Sequence, residues 1–122
     1  MKILVVDDEI EICNILYDFL RPKGYEVVKA TGGKEALEKV RIEAPDLVFL
    51  DIMMPDMNGI EVLEQIKKID KSIIVIIVTV VKDEKTTEEA IALGAYDYVT
   101  KPLSFDYLEK TAIMEELESK KK

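Results

Sequence analysis

Short apolar runs alternate with longer amphipathic ones along the chain. Five of the apolar runs read as strands: Ile3 to Val6, Tyr25 to Val28, Leu47 to Leu50, Ile73 to Thr79 and Tyr96 to Val99. Three are nearly continuous aliphatic, the pattern of parallel strands covered on both faces. Between the runs, helical periodicity predicts five helices. The first, Glu9–Leu20, ends before Arg21-Pro22 and Gly24. The second, Gly33–Val40, runs on towards Ala44-Pro45. The third, Gly59–Ile69, follows the turn Pro55-Asp56-Met57-Asn58, and the fourth, Asp83–Leu93, ends at Gly94. The fifth, Ser104–Leu117, opens on a serine cap and leads into Lys120-Lys121-Lys122, cations suited to a helix C-terminus. Five β-α units with short connections predict a doubly wound α/β parallel sheet with helices on both faces. No repeat, linker or low-complexity segment interrupts the pattern. A single domain over residues 1–122 is expected, with 118–122 as a frayed helix end.

Composition narrows the chemistry. A chain of 122 residues can bury a real core. Its 25 acidic and 17 basic residues give a net charge of −8, which disfavours direct nucleic-acid binding. With no histidine, a catalytic triad, a histidine metal ligand and an imidazole pH switch are all excluded. One cysteine can form neither an internal disulfide nor a multi-cysteine zinc site, and it suits a reducing compartment. The longest apolar run, Ile73 to Val81, is far short of the about 20 residues a membrane span needs. Met1-Lys2 leads straight into a short apolar stretch that ends in acids, so no secretory leader is read and a cytoplasmic location is expected.

In an open α/β sheet, ligands bind beyond the carboxyl ends of the strands, so the residues there are the informative ones. The first strand ends in Asp7-Asp8-Glu9, the third in Asp51 and the fourth in Thr79, and the fifth is followed by Lys101-Pro102. Each has a plainer reading alone: Asp7-Asp8 as a helix cap, Asp51 as an idle strand-end carboxylate, Thr79 as an ordinary β-branched strand residue, Lys101 as a solvated lysine. Together they place three carboxylates, a hydroxyl and an ammonium on one edge. Two carboxylates about 4 Å apart repel by about 4 kcal/mol at an effective dielectric of about 20. Three in one pocket must therefore protonate, bind a cation, or both. Oxygen-only donors suit a hard ion such as Mg²⁺.

Asp7-Asp8, the run Leu50-Asp51-Ile52-Met53-Met54-Pro55-Asp56-Met57-Asn58-Gly59, Thr79, and Gly94 to Pro102 resemble the receiver domain of bacterial two-component response regulators, over essentially the whole chain. The resemblance implies a flavodoxin-like sheet of strand order 2-1-3-4-5. It implies that Asp51 is the phosphoacceptor, taking a phosphoryl group from a phosphohistidine on a histidine kinase or histidine phosphotransfer protein. Catalytic roles fall on Asp51, Thr79 and Lys101. Mg²⁺, with Mn²⁺ as an alternative, would be held by Asp8, Asp51 and the Met53 carbonyl, with Asp7 acting through water. Thr79 and Tyr98 would form the switch, and the Lys101–Pro102 bond would be cis. The output would be a signalling change on the surface of the fourth helix, fifth strand and fifth helix, read by a downstream protein or by dimerisation. Whether the domain stands alone or serves a longer regulator is left open by the sequence.

Three departures carry expectations of their own. Val80 stands where the family usually has a small residue, so hindrance of small phosphodonors is expected. Met53 and Val81, two residues beyond Asp51 and Thr79, are apolar where the family can place water-orienting polar groups, so a slowly hydrolysed phosphoryl group is expected. On the first helix, Ile12, Leu16, Phe19 and Leu20, with Ile15 beside them, are expected to form the core stripe. Ile10, Cys13 and Tyr17 would then form a second stripe, packed on the last helix, scattered on the surface, or serving as a docking patch for the helices of a kinase or phosphotransfer domain. Three other readings compete. A pure binding module with an inert pocket would lack Asp51 or Lys101, and both are present. A metal-dependent phosphatase with an aspartyl nucleophile would carry a second aspartate where Met53 stands. A nucleotide-binding protein would carry a glycine-rich cradle where Asp7-Asp8-Glu9 stands.

Overall fold

The computed structural model describes residues 1–104 and residue 106. The fifth helix expected over 104–117 lies outside the described residues apart from Ser104 and Asp106, and so does the frayed end expected over 118–122. Among the described residues five strands alternate with four α-helices: β1 Lys2–Val6, α1 Ile10–Leu20, β2 Glu26–Ala30, α2 Gly33–Glu43, β3 Leu47–Leu50, α3 Gly59–Ile69, β4 Ile74–Thr79, α4 Glu84–Ala92 and β5 Asp97–Thr100. One turn of 3₁₀ helix, Arg21–Lys23, follows α1 and ends at Gly24 in the left-handed region (φ 96°), a conformation that favours glycine.

All five strands pair in parallel in the order β2-β1-β3-β4-β5. The three aliphatic runs prove to be the three central strands. In β1, β3 and β4 every residue but the first of β1 and of β4 is buried, whereas β2 and β5 at the edges are mostly half-buried. Side-chain alternation then divides the core. Leu4, Val6, Val48, Leu50, Val75 and Ile77 face α2, α3 and α4, while Ile3, Val5, Leu47, Phe49, Ile76 and Val78 face α1. Each fully buried aliphatic side chain contributes about 1.5–3 kcal/mol relative to exposure, so both sheet faces are held by burial rather than by polar contacts.

The expected faces of α1 need correction. Leu16 and Leu20 are buried and Ile12 and Phe19 pack beside them, as the periodicity predicts, but Ile15 is 51% exposed and Cys13 is fully buried. At 100° per residue, Cys13 lies between Leu16, Leu20 and Tyr17 on the inward side, while Ile15 points away. A small thiol lets the helix approach the ends of β1 and β2. Its Sγ lies 3.5 Å from the Asp7 carbonyl and 3.8–3.9 Å from those of Ala30 and Val5. Cys13 therefore belongs to the core and not to a docking patch, and burial pushes its thiol pKa up to about 11.

Candidate functional site

The strand register continues one residue past β1, β3 and β5. The Asp7 N–H bonds the Ala30 carbonyl at 3.1 Å, the Asp51 N–H the Val6 carbonyl at 3.0 Å, and the Lys101 N–H the Thr79 carbonyl at 2.8 Å. These bonds fix Asp7, Asp51 and Lys101 at one height on the carboxyl rim of the sheet. Between β1 and β3 the strand order turns back on itself, and Asp7 and Asp51 flank this switch point.

Lys101 Nζ lies 2.8 Å from Asp7 Oδ2, 3.0 Å from Asp51 Oδ2 and 3.5 Å from Glu9 Oε1. Asp7 and Asp51 are buried, and Asp8 completes the group at the exposed mouth. One carboxylate oxygen from each of Asp7, Asp8 and Asp51 falls within 4.8 Å of the others. Burial raises the Asp7 pKa, with hydrogen bonds from Lys101 and from the Glu9 N–H pulling it back. Burial also works against the Lys101 ammonium, yet its hydrogen bonds to Asp7 and Asp51 outweigh this and hold its pKa above the ordinary lysine value. With all three carboxylates ionised, one ammonium leaves a formal charge of −2 (−3 + 1) in an oxygen-lined pocket. That deficit and that donor set fit a small divalent cation.

The phosphoacceptor candidate is also oriented by its own chain, since Asp51 Oδ1 accepts the Met53 N–H at 3.0 Å. Asp7 Oδ1 does the same for the Glu9 N–H at 2.9 Å. Thr79 is fully buried at the end of β4, and its hydroxyl accepts the Val81 N–H at 3.4 Å. Tyr98 on β5 donates its hydroxyl to the Val81 carbonyl at 2.8 Å. Both switch candidates thus hold the same residue of the turn leading to α4, one through its N–H and one through its carbonyl. Burial raises the Tyr98 phenol pKa. The Lys101–Pro102 bond is cis.

Met53 and Val81 both line a cleft of about 480 Å³ between α3 and α4, with Glu61, Glu64 and Glu89 on its walls. On the other side of Lys101, the 60%-exposed Val80 lines an apolar groove of about 420 Å³ with Ile12, Ile15, Val78 and Leu103. Every residue singled out at the strand ends therefore lies at the carboxyl rim. The sequence assigned no task to Glu9, which reaches Lys101, to Asn58, which caps α3 by accepting the Ile60 N–H at 2.8 Å, or to Asp56, considered below. Asn58 was legible in principle as an N-cap residue one position before a helix. Glu9 and Asp56 act across the fold, where local patterns are silent.

A doubly wound parallel sheet with three clustered aspartates at its switch point, two of them bridged by a lysine, defines a class of α/β domain built to gather a cation and an anionic group at one rim. Comparison with known proteins makes the class specific. Residues 3–113 match the model of the response regulator receiver domain, and the chain belongs to that family, the receivers of two-component systems. The transcriptional regulatory protein ZraR of Klebsiella oxytoca is 50% identical over 111 residues, which make up 91% of this chain and 25% of that protein. The chain thus spans about a quarter of the ZraR relatives it matches. The chemotaxis protein CheY of Thermotoga maritima is 40% identical over 102 residues, 83% of this chain and 85% of that one. Among solved structures, a CheY-like receiver domain protein from Methanospirillum hungatei JF-1 superposes with a TM-score of 0.90 at 35% identity, covering 98% of this chain and 95% of the other. The expected family and sheet order are thereby borne out.

Proposed function

We propose that the chain is a phosphorylation-driven switch in which Asp51 accepts a phosphoryl group from a phosphohistidine on a histidine kinase or histidine phosphotransfer protein. The observation that carries this reading is the Lys101 ammonium held within 3.0 Å of Asp51 and 2.8 Å of Asp7, beside a third carboxylate. A carboxylate is a competent nucleophile for phosphoryl groups. An Asp51 oxygen attacks phosphorus in line with the donor nitrogen, the P–N bond breaks, and an acyl phosphate forms. The Met53 N–H keeps one Asp51 oxygen occupied and so fixes the carboxylate plane. Lys101 is placed to follow a phosphoryl oxygen as charge moves outward from the carboxylate, and Thr79 to donate its hydroxyl to another.

The residues present suit Mg²⁺ or Mn²⁺: Asp8, Asp51 and the Met53 carbonyl as ligands, with Asp7 contributing through water. A divalent ion held there neutralises charge on the phosphoryl oxygens. Switching follows from charge. A carboxylate of −1 becomes a group of about −2 with three acceptor oxygens. Thr79 turns its hydroxyl towards it and loosens its hold on the Val81 N–H. Tyr98, tied to the Val81 carbonyl, responds to the same movement, and the surface of α4 and β5 changes for a downstream protein, an output segment or a second copy. This is a two-state shift biased by local electrostatics. The domain acts as a switch that takes part in its own phosphorylation and dephosphorylation, residues 1–122 forming one receiver unit in the cytoplasm. No described helix is long and apolar enough to cross a membrane.

Incubation with a phosphohistidine-bearing donor protein and Mg²⁺, followed by intact-mass measurement, tests the reading. Wild type gains the mass of one phosphoryl group and Asp51→Ala gains none. An unmodified wild type, or an equally modified variant, refutes it.

A further inference from the structure

The loop from Asp51 to Gly59 leaves the sheet and crosses to a helix that begins two dozen residues earlier. There the Asp56 carboxylate accepts the Gly33 N–H through Oδ1 at 2.9 Å and the Lys34 N–H through Oδ2 at 3.2 Å. Helix α2 supplies no cap for these first-turn amides, because its N-cap residue is Gly32, which has no side chain. The two glycines make room for the loop. A Cβ on Gly32 would lie 3.1 Å from both Asp56 carboxylate oxygens, and one on Gly33 only 2.7 Å from Met57 Cβ. Gly32 has an extended backbone that any residue adopts, so it is space and not conformation that suits glycine there. The end of the loop is held separately, by the Gly59 N–H on the Ile52 carbonyl at 3.0 Å.

From this geometry we infer that Asp56 is a positioning residue for the phosphorylation site, a cap lent to α2 that straps the loop carrying Met53 in place. The inference rests on the proposed role of Asp51 and Met53. The Met53 N–H orients Asp51, and its carbonyl is the one main-chain oxygen assigned to the cation. Apart from this strap, the loop side chains Met54 and Met57 pack against the core that α2 shares, with Met57 close over Gly33. Cutting the strap frees Met53 to move while leaving all three aspartates and Lys101 in place.

The test is a calorimetric titration of Mg²⁺ into wild type, Asp56→Ala, Asp56→Asn and Glu35→Ala. Glu35 accepts the Thr31 N–H at 2.7 Å and steadies the same helix start from within α2, so its variant removes the same charge and a comparable cap without touching the loop. Asp56→Ala is expected to weaken Mg²⁺ binding about tenfold, the lower end for groups that orient a metal ligand, with Glu35→Ala within about twofold of wild type. Asp56→Asn, which keeps one accepting oxygen in reach, falls between them, and it carries the test if Asp56→Ala does not fold. Unchanged Mg²⁺ affinity in the Asp56 variants, or an equal loss in Glu35→Ala, makes the strap merely structural and overturns the inference. A wild type that takes up no Mg²⁺ instead removes the phosphoacceptor reading itself.

Discussion

At the scale of single residues, Lys101 decides how the acidic rim survives without a cation. Among the described residues it is the one ammonium beside the three clustered carboxylates, with 11% of its side chain exposed. Replacing it by Met leaves Asp7 and Asp51 buried and unpaired, a change that costs about 3–5 kcal/mol when one member of a buried pair is lost. The sign of the pH dependence follows from Asp7, whose pKa burial already raises. A carboxyl with a raised folded pKa favours the native state most below its unfolded pKa, and that contribution is lost as pH rises through the folded value. Without the ammonium that pKa climbs further. Urea midpoints should therefore show Lys101→Met well below wild type near pH 7 and the gap narrowing towards about pH 4. A gap that widens on acidification contradicts the pairing. In the proposed mechanism Met53 and Val81 would matter after transfer. Their apolar side chains line the cleft between α3 and α4 and offer no group to orient an attacking water. Met53→Asn with Val81→Glu is expected to shorten the acyl-phosphate lifetime about tenfold, less than the roughly 100-fold or more that a fully positioned proton-transfer group provides. Decay followed by intact mass measures it, and an unaltered lifetime removes the explanation.

At the scale of elements, helix starts separate local from long-range control. Asn58 caps α3 and Asp83 caps α4, the latter accepting the Lys85 N–H at 3.3 Å and the Thr86 hydroxyl at 2.7 Å. The Thr86 hydroxyl, then the backbone amides, hold the Asp83 pKa below the ordinary aspartate value against the cost of burial. A lowered folded pKa contributes stability above the unfolded pKa that is lost as pH falls through the folded one. Asn58→Ala should cost about 1 kcal/mol at every pH. The cost of Asp83→Ala should be present near neutral pH and disappear on acidification below the aspartate range. Denaturant titrations at two pH values check both. A pH-dependent Asn58 effect, or a constant Asp83 effect, is the contrary outcome. Those starts also show what was legible. The β3 and α3 limits follow directly from the run Leu47–Leu50 and from the turn Pro55-Asp56-Met57-Asn58 before Gly59, because apolar runs and turns are local signals. The inward turn of Cys13 was misread, because a small residue between two wheel positions goes wherever the sheet leaves room. The Asp56 cap on α2 could not be read, because it joins residues more than twenty apart through a loop.

At the scale of the molecule, three nearly continuous aliphatic strands dictate a sheet buried on both faces, and parallel pairing sends every carboxyl end to one rim. That alone gathers Asp7, Asp51, Thr79 and Lys101, which is why the site was largely legible before any distance was known. The neighbourhood of β1 and β3 was not contained in the pattern of strands and came from the family resemblance. What distances add is the pairing. One ammonium serves two buried carboxylates, and the neighbouring turn is held at Val81 by both switch candidates. The central claim is that this rim makes Asp51 a covalent phosphoacceptor. The most direct measurement is to phosphorylate the protein with a phosphohistidine donor in Mg²⁺, reduce with borohydride, and map the peptides by mass spectrometry. An acyl phosphate is reduced under these conditions to homoserine, so the account predicts homoserine in place of aspartate at position 51 and at no other acidic residue. Reduction at Asp7, Asp8 or elsewhere, or none in a protein that donor and Mg²⁺ have both reached, contradicts it.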